Sequence, residues 1–539
     1  MITAHDYFID SGERTVGPGG YTLPGVFKEA VIACGENAAV FDDKGFHSWH
    51  EWSREASALA RALQEMGVSK GDVVALHLPN CWEYLTLHVA IAMIGAVTFP
   101  LHMAYGEHEL RVLLERAAAS ILVLPATYTG RDLLAMGRRL LSTLPALQHL
   151  LITGSEVQDD AINIEALKRQ WAGTSPHPIA VSPDDPFVLL ASSGTTSLRP
   201  KICLHSHDGL LSNAATVVTD GKARAEDILI SASPFTHAFG LLSIHLSLVS
   251  TCRQALLQRW KTEHFLELAQ RSAATVAFAV PAQLRDVCVH LDTHPEAPRI
   301  SLREVRTGGA KVAALLVADI RRVLGASVIV QWGMSEVGAG TYTRPDDPPA
   351  AASTSIGRAV TGAEVRIVDE NGNELPAGET GELWYRSPYM FRGYLHDEEL
   401  TRVSVTDGWL HTGDLASLNT DGSVAYQGRR TELINRGGMK FSAVEVESLL
   451  VDLVALNQLA VIAQPDERLG ERSCLVASLR PGYTITLDEI VAHLAAKGLA
   501  KYKWPEELIL VDILPSTPTG KIARARLVDL LGVEIQKQM

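Results

Sequence analysis

The sequence predicts an α/β fold, with a large amino-terminal domain of layered α/β sheets, a small β-barrel-like part, and a small α+β carboxyl-terminal domain. Three observations support this fold class. Helical and strand-like segments alternate through the first three quarters of the 539-residue chain, the composition turns rich in Gly, Glu and β-branched residues from about Val360, and the last segment of about 110 residues has helices and strands of its own. Alternation of this kind is typical of parallel sheets covered by helices.

The predicted elements follow one another in chain order. The amphipathic segment WHEWSREASALARALQEMG predicts a helix before the strand-like GDVVALHL. The apolar VAIAMIGAVTFPL follows, and HELRVLLERAAASILVLPA again couples a helix to a strand. In the small β part, about residues 360–427, Asn371-Gly372 lies between two strand-like runs and predicts a hairpin. The final segment alternates predicted helices (SAVEVESLLVDL, TLDEIVAHLAAKGL) with predicted strands (NQLAVIAQ, EELILVDIL). We therefore expect domains at 1–429 and 430–539, joined by a short hinge in GRRT.

Composition and charge exclude several classes of function. The net charge of −14 argues against a general nucleic-acid binder, which needs basic surface to displace counterions. The six cysteines form no CxxC pair and have no metal-ligand spacing, so we expect reduced thiols in a cytoplasmic protein. No secretory signal is visible at the amino terminus, and the longest apolar run, Tyr84 to Phe99, is too short for a membrane span and predicts a buried helix.

One polar loop has the composition of a phosphate-binding site. The stretch SSGTTSLRPK, residues 192–201, follows an apolar strand and combines a glycine, the hydroxyls of Thr195 and Thr196, and a closing Lys201. Backbone N–H groups in such a turn can converge on an anion. The stretch is not a Walker A element, because that motif ends in Gly-Lys-Ser/Thr. Taken alone, a Ser/Thr/Gly turn is more often structural.

Seven further motifs follow the loop in this order: PFTHAFG, TGGAKVA, QWGMSE, GELWYRS, HTGD, GRRTELINRGGMKFSAVEVE and PSTPTGKIAR. Over almost the whole chain, they resemble the acyl-adenylate-forming superfamily of acyl-CoA synthetases, carrier-loading adenylation domains and luciferases. The carboxyl-terminal part most resembles the stand-alone aryl-acid adenylating and cyclic-acid CoA ligase branch. The resemblance implies that a carboxylate attacks the α-phosphate of ATP, giving an acyl-adenylate. The mobile carboxyl-terminal domain then rotates, and a thiol, usually that of CoA, displaces AMP.

The resemblance also implies roles for individual residues. Glu336 would be the Mg²⁺ ligand, Ser335 would face the α-phosphate, and Lys521 would neutralise charge during adenylation. Trp332 would stack on adenine, where the family usually has tyrosine, and Asp414 would accept hydrogen bonds from both ribose hydroxyls. The remaining implied positions are the phosphate loop (Thr195, Thr196, Lys201), the rest of the nucleotide site (Gly309, Ala310, Gly333, Arg429), the pantetheine tunnel for CoA (Gly437, Gly438), the gate between acid pocket and tunnel (His237), and the hinge (Thr431).

The phosphate loop and the hinge depart from the family pattern. The family loop reads Ser-Gly-Thr-Thr-Gly-x-Pro-Lys, whereas this chain has Ser197 for the second glycine and one residue too many, Arg199, before Pro200. Glycine permits positive φ and close backbone approach, and serine generally does not. Because loss of one well-placed donor lowers a rate by about 10²–10³, we expect weak or absent ATP-dependent adenylation, with thioester formation retained. The alternative is that the extra residue bulges into solvent and leaves the donors in place. At the hinge, Thr431 replaces the usual Asp or Lys.

The acid pocket is expected to be apolar. Ala238 stands where amino-acid-activating members have aspartate and hydroxybenzoate-activating members have asparagine, and alanine cannot pair with an ammonium or an ortho-hydroxyl. With Phe239, Gly308, Gly338 and Ala339, it suggests a wide pocket for a bulky carboxylic acid of alicyclic, terpenoid-like or aryl type.

Two alternatives to a CoA ligase remain open. The first is a stand-alone adenylation enzyme that loads the acyl group onto a carrier protein, since no carrier domain is fused to this chain. The second is a non-catalytic homologue that binds a nucleotide or an acyl group. The retained Glu336, Asp414 and Lys521 argue against the second alternative.

Overall fold

The computed structural model describes residues 19–154, 161–191, 200–310, 312–430, 433–436, 439–466, 469–517, 521–524 and 526–527. Its α-helices are α1 (Leu23–Cys34), α2 (Trp49–Glu65), α3 (Trp82–Met93), α4 (Glu107–Arg116), α5 (Leu133–Thr143), α6 (Ile164–Gln170), α7 (His207–Asp220), α8 (Ala238–Ser250), α9 (Thr262–Ser272), α10 (Pro281–Thr293), α11 (Ala314–Leu324), α12 (Ala351–Thr354), α13 (Glu398–Ser404), α14 (Ala443–Leu450) and α15 (Leu487–Ala496).

The strands up to the middle of the chain are β1 (Ala38–Asp42), β2 (Gly45–Ser48), β3 (Val73–Leu76), β4 (Val97–Pro100), β5 (Ile121–Pro125), β6 (Thr127–Tyr128), β7 (Arg131–Asp132), β8 (His149–Thr153), β9 (Ile162–Asn163), β10 (Pro186–Ala191), β11 (Ile202–Ser206), β12 (Ile228–Ser231), β13 (Arg253–Ala255), β14 (Val276–Phe278) and β15 (Glu304–Gly308). The strands that follow are β16 (Ser327–Met334), β17 (Gly338–Tyr342), β18 (Arg358–Ala359), β19 (Glu364–Val368), β20 (Thr380–Arg386), β21 (Gly393–Tyr394), β22 (Val405–Thr406), β23 (Trp409–Leu418), β24 (Val424–Arg429), β25 (Leu433–Arg436), β26 (Met439–Ser442), β27 (Leu456–Asp466), β28 (Gly470–Leu479) and β29 (Glu507–Leu510).

Two large, mainly parallel sheets dominate the amino-terminal part. The first has the strand order β18-β17-β16-β15-β14-β12-β13-β1-β2, and the second has the order β21-β11-β10-β4-β3-β5-β8-β9. In the first sheet, the strands from β1 to β16 in this path are parallel, whereas β2 and β17 pair with their neighbours in antiparallel fashion. Helices pack against both sheets, for example α11 against β16 and α5 against β5 and β8. The predicted layered α/β class is confirmed.

Two smaller sheets follow. Strands β19, β20, β23, β22 and β24 form an open antiparallel sheet rather than a closed barrel. At the predicted hairpin, Gly372 has φ +83°, and the Asp369 carboxylate accepts hydrogen bonds from the N–H groups of Asn371 (2.8 Å) and Asn373 (2.9 Å). The last sheet has the order β26-β25-β28-β27, with β29 parallel to β28, and α14 and α15 pack together on it. The domain boundary near residue 430 stays a prediction.

The predicted buried helix is only part of the apolar run in which it was placed. Helix α3 ends at Met93, Gly95 adopts φ +67°, and Val97–Pro100 forms β4. A left-handed glycine ends the helix because its backbone can turn where most other residues are strained. Trp82 at the start of α3 packs on Trp52 of α2, with ring centroids 5.9 Å apart. Within the described ranges, no helix has the length and hydropathy that crossing a bilayer requires.

The edge of the first sheet determines where ligands can bind. Parallel strands β12, β14, β15 and β16 are neighbours, so their carboxyl ends lie along one edge. The loops that leave this edge carry residues 232–237 after β12, Val280 after β14 and Gly309 after β15. In α/β sheets, ligands bind at the carboxyl ends of the strands. The ligand site is therefore expected at this edge.

Candidate active site

A pocket lies at this edge and contains most of the predicted acid-site residues. Its lining includes the predicted residues His237, Ala238, Phe239, Gly308, Gly309, Gly333, Gly338 and Lys521. The other lining residues were not predicted from the sequence; they are Ser233, Pro234, Val280, Gln331 and Met334. The chain thus brings together five separate segments, the last of which belongs to the carboxyl-terminal part.

Two glycines in the pocket wall lie too close to neighbouring atoms to carry a side chain. A Cβ atom on Gly308 would lie 2.2 Å from the carbonyl oxygen of Gln331, which is the neighbouring strand's backbone. Gly309 has φ +79°, and a Cβ there would lie 2.9 Å from Cε of Lys521. Any side chain at Gly309 would therefore meet both backbone strain and the lysine.

Contacts with Thr517 hold the backbone of Lys521 in place. The Thr517 hydroxyl accepts a hydrogen bond from the Lys521 N–H (3.1 Å), and the Thr517 N–H donates to the Lys521 carbonyl oxygen (2.6 Å). Ser516 and Ile522 form an antiparallel bridge next to these contacts. These backbone contacts aim the lysine side chain at the pocket, as expected for a residue that acts on a bound ligand.

His237 stands at the amino end of helix α8 and faces the pocket. Its Nδ1 accepts a hydrogen bond from the Phe239 N–H at 3.3 Å, so in this arrangement Nε2 carries the proton. Burial lowers the pKa of His237 to about 3, and the charges of Lys521 and His102 act in the same direction. The imidazole is therefore neutral near pH 7 and offers an N–H donor.

The loop before His237 is fixed by Asn80, which the sequence analysis missed. The Asn80 Oδ1 accepts from the Phe235 N–H (2.8 Å), and its Nδ2 donates to the carbonyl oxygens of Ser231 (3.3 Å) and Ser233 (3.0 Å). Tyr84 adds a bond from its hydroxyl to the Phe235 carbonyl (3.1 Å). Both residues belong to the part of the chain around α3, so no local sequence signal links them to this loop.

Glu336 and Lys201 meet at Tyr394, another residue that the sequence analysis missed. The Tyr394 hydroxyl donates to Oε1 of Glu336 at 2.8 Å, and Nζ of Lys201 lies 5.2 Å from the Tyr394 ring centroid. Glu336 and Tyr394 are each only 5% exposed. One aromatic side chain thus holds the predicted metal ligand through its hydroxyl and the predicted phosphate-loop lysine through its ring.

Ser335 is fixed through its backbone. The Nε2–H of His205 donates to the Ser335 carbonyl oxygen at 2.6 Å. Burial lowers the pKa of His205 to about 4, so this histidine is a neutral donor near pH 7. The bond connects β11, which follows Lys201, to the turn after β16, which carries Glu336.

Three predicted nucleotide-site residues contact one another directly. The indole N–H of Trp332 donates to Oδ2 of Asp414 at 2.8 Å, and the Nε of Arg429 donates to Oδ1 at 2.9 Å. Asp414 is 2% exposed, and burial raises its pKa, against which the charge of Arg429 acts. A Cβ on Gly340 would lie 2.4 Å from Cζ3 of Trp332, so this glycine makes room for the indole.

The remaining predicted residues lie apart from the pocket or outside the description. Ala339 is fully buried, with its N–H and carbonyl oxygen bonded to Asn213 (2.9 and 2.8 Å), and it does not line the pocket. Ala310 is exposed beside Gly309. The predicted residues outside the described ranges are Thr195, Thr196, Thr431, Gly437 and Gly438.

A metal at this site would need ligands from a substrate. Among the residues that the structure describes, no group of three His, Cys, Asp or Glu side chains is placed to hold a metal ion. Glu336 alone offers one carboxylate, which suits a hard cation that takes its other oxygens from phosphate and water.

Comparison with known protein families decides the identity. Residues 27–395 match the model of the AMP-binding enzyme family, and residues 445–521 match that of the AMP-binding enzyme C-terminal domain. The chain belongs to the AMP-binding enzyme family. The predicted membership of the acyl-adenylate-forming superfamily is thereby confirmed, and so is the predicted class of enzyme, an acid-thiol ligase.

Relatives of this AMP-binding enzyme cover nearly its whole length. It is 34% identical to "Salicylyl-CoA synthase / salicylate adenylyltransferase" of a Streptomyces species, over 95% of this chain and 94% of the relative. It is 30% identical to "2-hydroxy-7-methoxy-5-methyl-1-naphthoate--CoA ligase" of Streptomyces carzinostaticus, over 93% and 91%. It is also 30% identical to "Salicyl-AMP ligase / salicyl-S-ArCP synthetase" of Mycobacterium tuberculosis, over 95% and 91%.

Solved structures agree in fold. An anthranilate CoA ligase in complex with anthranoyl-AMP superposes with a TM-score of 0.89 over 96% of this chain and 99% of that chain, at 24% identity, which supports the fold alone. The ATP-bound MatB of Rhodopseudomonas palustris superposes with a TM-score of 0.83 over 94% and 98%, at 27% identity.

Proposed function

We propose that this enzyme activates an aromatic carboxylic acid as its acyl-adenylate and transfers the acyl group to the thiol of CoA. The observation that carries the proposal is the meeting of Lys521, His237 and Gly309 in one pocket at the carboxyl edge of a parallel sheet. A lysine there can neutralise the charge that builds up between a carboxylate and the α-phosphate. The relatives named for salicylate and for a naphthoate support an aryl acid.

Chemical roles for the surrounding residues follow from their contacts. In adenylation, a carboxylate oxygen of the acid bonds to the α-phosphorus while pyrophosphate leaves, and Lys521 is aimed at the pocket where this charge forms. Asp414, fixed by Trp332 and Arg429, would accept the ribose hydroxyls. Glu336, together with phosphate oxygens, would hold Mg²⁺, which neutralises phosphate charge when bound.

Thioester formation makes a different demand. The thiol sulfur bonds to the acyl carbon of the adenylate and AMP leaves, so orientation of the thiol matters more than neutralisation of a triphosphate. The carboxyl-terminal part, which we propose as the domain 430–539, would rotate between the two steps. Arg285 of α10 donates to the Asn457 carbonyl at 2.9 Å, and this contact between the two parts would have to break during rotation.

The altered phosphate loop supports a further proposal, that adenylation is the slower half-reaction. Ser197 and the extra Arg199 carry it from the sequence alone. Synthetic acyl-adenylate with CoA should then give acyl-CoA faster than acid, ATP and CoA do, and equal rates would contradict the proposal. Deletion of Arg199 combined with Ser197→Gly should raise ATP–pyrophosphate exchange.

One screen tests which acid the enzyme activates and which thiol accepts the acyl group. Aromatic and bulky alicyclic acids are offered with ATP, and the acyl group is trapped either on CoA or on an aryl carrier protein, the acceptor that the mycobacterial relative's name suggests. The apolar residues Pro234, Ala238, Phe239, Val280 and Met334 in the lining support a ring-bearing acid. Failure of every acid in both half-reactions, with AMP still bound, would favour a non-catalytic binding protein instead.

Substitution of Lys521 should affect the two half-reactions differently in the same assays. Lys521→Ala should abolish ATP–pyrophosphate exchange and leave thioester formation from preformed adenylate largely intact. The matched control is Lys497→Ala, which removes an exposed lysine paired with Asp452 at 2.6 Å outside the pocket. Equal loss of both half-reactions in Lys521→Ala would contradict the proposed role.

A further inference from the structure

Strand β23 departs from regular pairing with β20 at the residues that carry Asp414. The register shifts between Glu382 and Trp384 of β20, so residues 412–414 of β23 lie opposite a single β20 residue. Within this bulge, Gly413 adopts φ +70°, which glycine tolerates and most other residues do not. A β-bulge of this kind changes the direction of a side chain, here that of Asp414, which is 2% exposed.

Two side chains hold the backbone of the bulge. Oε1 of Glu382 accepts a hydrogen bond from the Gly413 N–H at 3.1 Å. The Thr412 hydroxyl donates to the Leu383 carbonyl oxygen at 2.6 Å and accepts the Asp414 N–H at 3.1 Å. A bulge interrupts the regular ladder of backbone hydrogen bonds between two strands. Side-chain contacts therefore fix the path of the backbone that leads into Asp414.

The other contact of the Glu382 carboxylate is weaker. Its Oε2 lies 3.5 Å from Nη1 of Arg430, and the Arg430 side chain is 67% exposed. A long ion pair in contact with solvent contributes little, because water screens the charges and the arginine loses side-chain freedom. The Glu382 side chain itself is only 15% exposed, so water does not readily replace it at the Gly413 N–H. The bond to Gly413 is therefore the contact through which Glu382 can act on the nucleotide site.

We propose that Glu382 is a positioning residue for ribose recognition, because its bond to the Gly413 N–H keeps the Asp414 carboxylate where the ribose hydroxyls reach it. The inference rests on the proposed function, in which Asp414 accepts these hydroxyls. Trp332 and Arg429 each donate to one oxygen of the Asp414 carboxylate and so orient it. Glu382 instead fixes the backbone that carries this carboxylate, and it needs no contact with the nucleotide.

The variant Glu382→Met tests the residue. Methionine has nearly the same length as glutamate but is only a weak acceptor, so the Gly413 N–H loses its partner. Because a shift of about 1 Å in a binding group can cost about 100-fold, we expect the KM for ATP to rise by about 10- to 100-fold. Ribose contacts are the same before and during reaction, so kcat should stay within about threefold. The preference for ATP over 2′-deoxy-ATP and 3′-deoxy-ATP should fall to within about threefold.

A conservative variant and a matched control separate positioning from a general loss of structure. Glu382→Gln keeps a side-chain oxygen for the Gly413 N–H and loses only the charge that faces Arg430, so it should restore the native KM and the native ribose preference. The control is Glu109→Met. Glu109 also accepts a glycine N–H, that of Gly106 at 3.0 Å, but it does so at the start of α4. This variant should keep the ribose preference of the native enzyme.

The outcomes separate this inference from the proposed function. Affinities of ATP and the two deoxy analogues are also measured without an acid, so they decide the inference even if no acid is activated and the proposed function fails. The inference fails alone if acids are activated but the ribose preference survives in Glu382→Met. It also fails if Glu382→Gln loses the preference as fully as Glu382→Met does, or if Glu109→Met loses it equally. Should Glu382→Met not fold, Glu382→Asp replaces it, because its carboxylate is one methylene too short for the Gly413 N–H and the same loss is expected.

Discussion

Replacing Trp332 by phenylalanine should weaken recognition of the ribose while leaving the aromatic surface in place. Phenylalanine lacks the indole N–H that donates to Oδ2 of Asp414 at 2.8 Å, and Arg429 then holds only the other oxygen. A hydrogen bond to a charged group contributes about 1.5–3 kcal/mol. Because Asp414 is 2% exposed, water does not readily replace the lost donor. Because this bond already exists in the enzyme without a nucleotide, its energy sets an upper limit, and we expect AMP and ATP to bind up to about 100-fold more weakly.

The assay that isolates this effect compares nucleotides with and without a ribose hydroxyl. In the native enzyme, 2′-deoxy-ATP and 3′-deoxy-ATP should bind more weakly than ATP, because Asp414 loses a donor. In Trp332→Phe, affinity for ATP should fall toward that of the deoxy analogues, so discrimination shrinks. If Trp332 served only as a stacking surface for adenine, all three nucleotides would weaken by the same factor.

The pH dependence gives a second readout. Burial already raises the pKa of Asp414, and the carboxyl must be ionised to accept two hydroxyl donors. Removing the indole donor takes a hydrogen bond from the ionised form and raises this pKa further. The pH below which nucleotide binding is lost should therefore move upward in Trp332→Phe.

The matched control is Trp384→Phe in strand β20. The Nε1 of Trp384 has no hydrogen-bond partner among the described residues, and its ring stacks on His411 with centroids 4.3 Å apart. This variant makes the same chemical change without touching Asp414 and should keep ribose discrimination. A Trp332→Phe enzyme with unchanged discrimination and an unchanged pH profile would refute the role assigned to the indole.

Three further predictions use the same structure. Tyr394→Phe removes the hydroxyl that donates to Glu336 at 2.8 Å and keeps the ring under Lys201, so Mg²⁺-dependent ATP–pyrophosphate exchange should fall about tenfold. The control Tyr389→Phe removes a hydroxyl that donates to the Thr361 carbonyl at 3.0 Å and should leave the exchange unchanged. Equal effects of the two variants would contradict the role assigned to Tyr394. Burial lowers the pKa values of His88 and His207 to about 3 and of His205 to about 4, so each stays neutral in the folded protein while the unfolded chain protonates near pH 6.5. Their contribution to the free energy of unfolding is fully present above pH 6.5 and is lost as the pH falls below it, by about 2 kcal/mol per histidine at pH 5. Urea unfolding at pH 7.5 and pH 5 measures this loss. An unchanged urea midpoint would contradict the prediction. Gly308→Ala would place a Cβ 2.2 Å from the Gln331 carbonyl oxygen, so we expect destabilisation of about 1–3 kcal/mol together with loss of acid turnover. The control is Gly106→Ala, because Gly106 has φ −91° and a Cβ there would meet only the end of the flexible Glu109 side chain. Native-like turnover of Gly308→Ala would show that the strands can separate there.

The fold class could be predicted because its signals are local. Alternating helix and strand patterns imply parallel sheets, and the change of composition near Val360 marks the antiparallel sheet that begins at Glu364. The strand order could not be predicted in the same way. Strand β21 at Gly393–Tyr394 pairs with β11 at Cys203 and Leu204, although nearly two hundred residues separate them. Only packing of the whole chain selects such a pair.

In the candidate site too, residues with a local sequence signal were predicted and residues that depend on distant contacts were not. Motif residues such as His237, Gly309 and Lys521 were predicted, and the structure collects them in one pocket. Asn80 and Tyr394 were missed because each acts through a distant partner. Gln331 lies within a recognised motif, but a sequence pattern cannot indicate that its amide oxygen is left without a partner. Buried polar groups can be counted only when the neighbours are known.

Strand β16 links acid recognition to nucleotide recognition through two adjacent residues. Gln331 lines the pocket, whereas its neighbour Trp332 bonds Asp414 and does not line it. Successive side chains of a strand point to opposite faces, so one strand can serve two ligands. A register shift against β17 between Trp332 and Gly333 then returns both Gly333 and Met334 to the pocket wall.

This arrangement predicts that the two recognition functions are separable. Gln331→Met should change acid selectivity and Trp332→Phe ribose discrimination, and in the double variant the two effects should add within about 0.5 kcal/mol, since the side chains share no hydrogen-bond partner. The measurement is a double-mutant cycle on kcat/KM with two aromatic acids of different size and with ATP, 2′-deoxy-ATP and 3′-deoxy-ATP. A larger coupling would mean that either substitution shifts the backbone of β16. The irregular pairing, rather than the side chains alone, would then set the specificity of both sites.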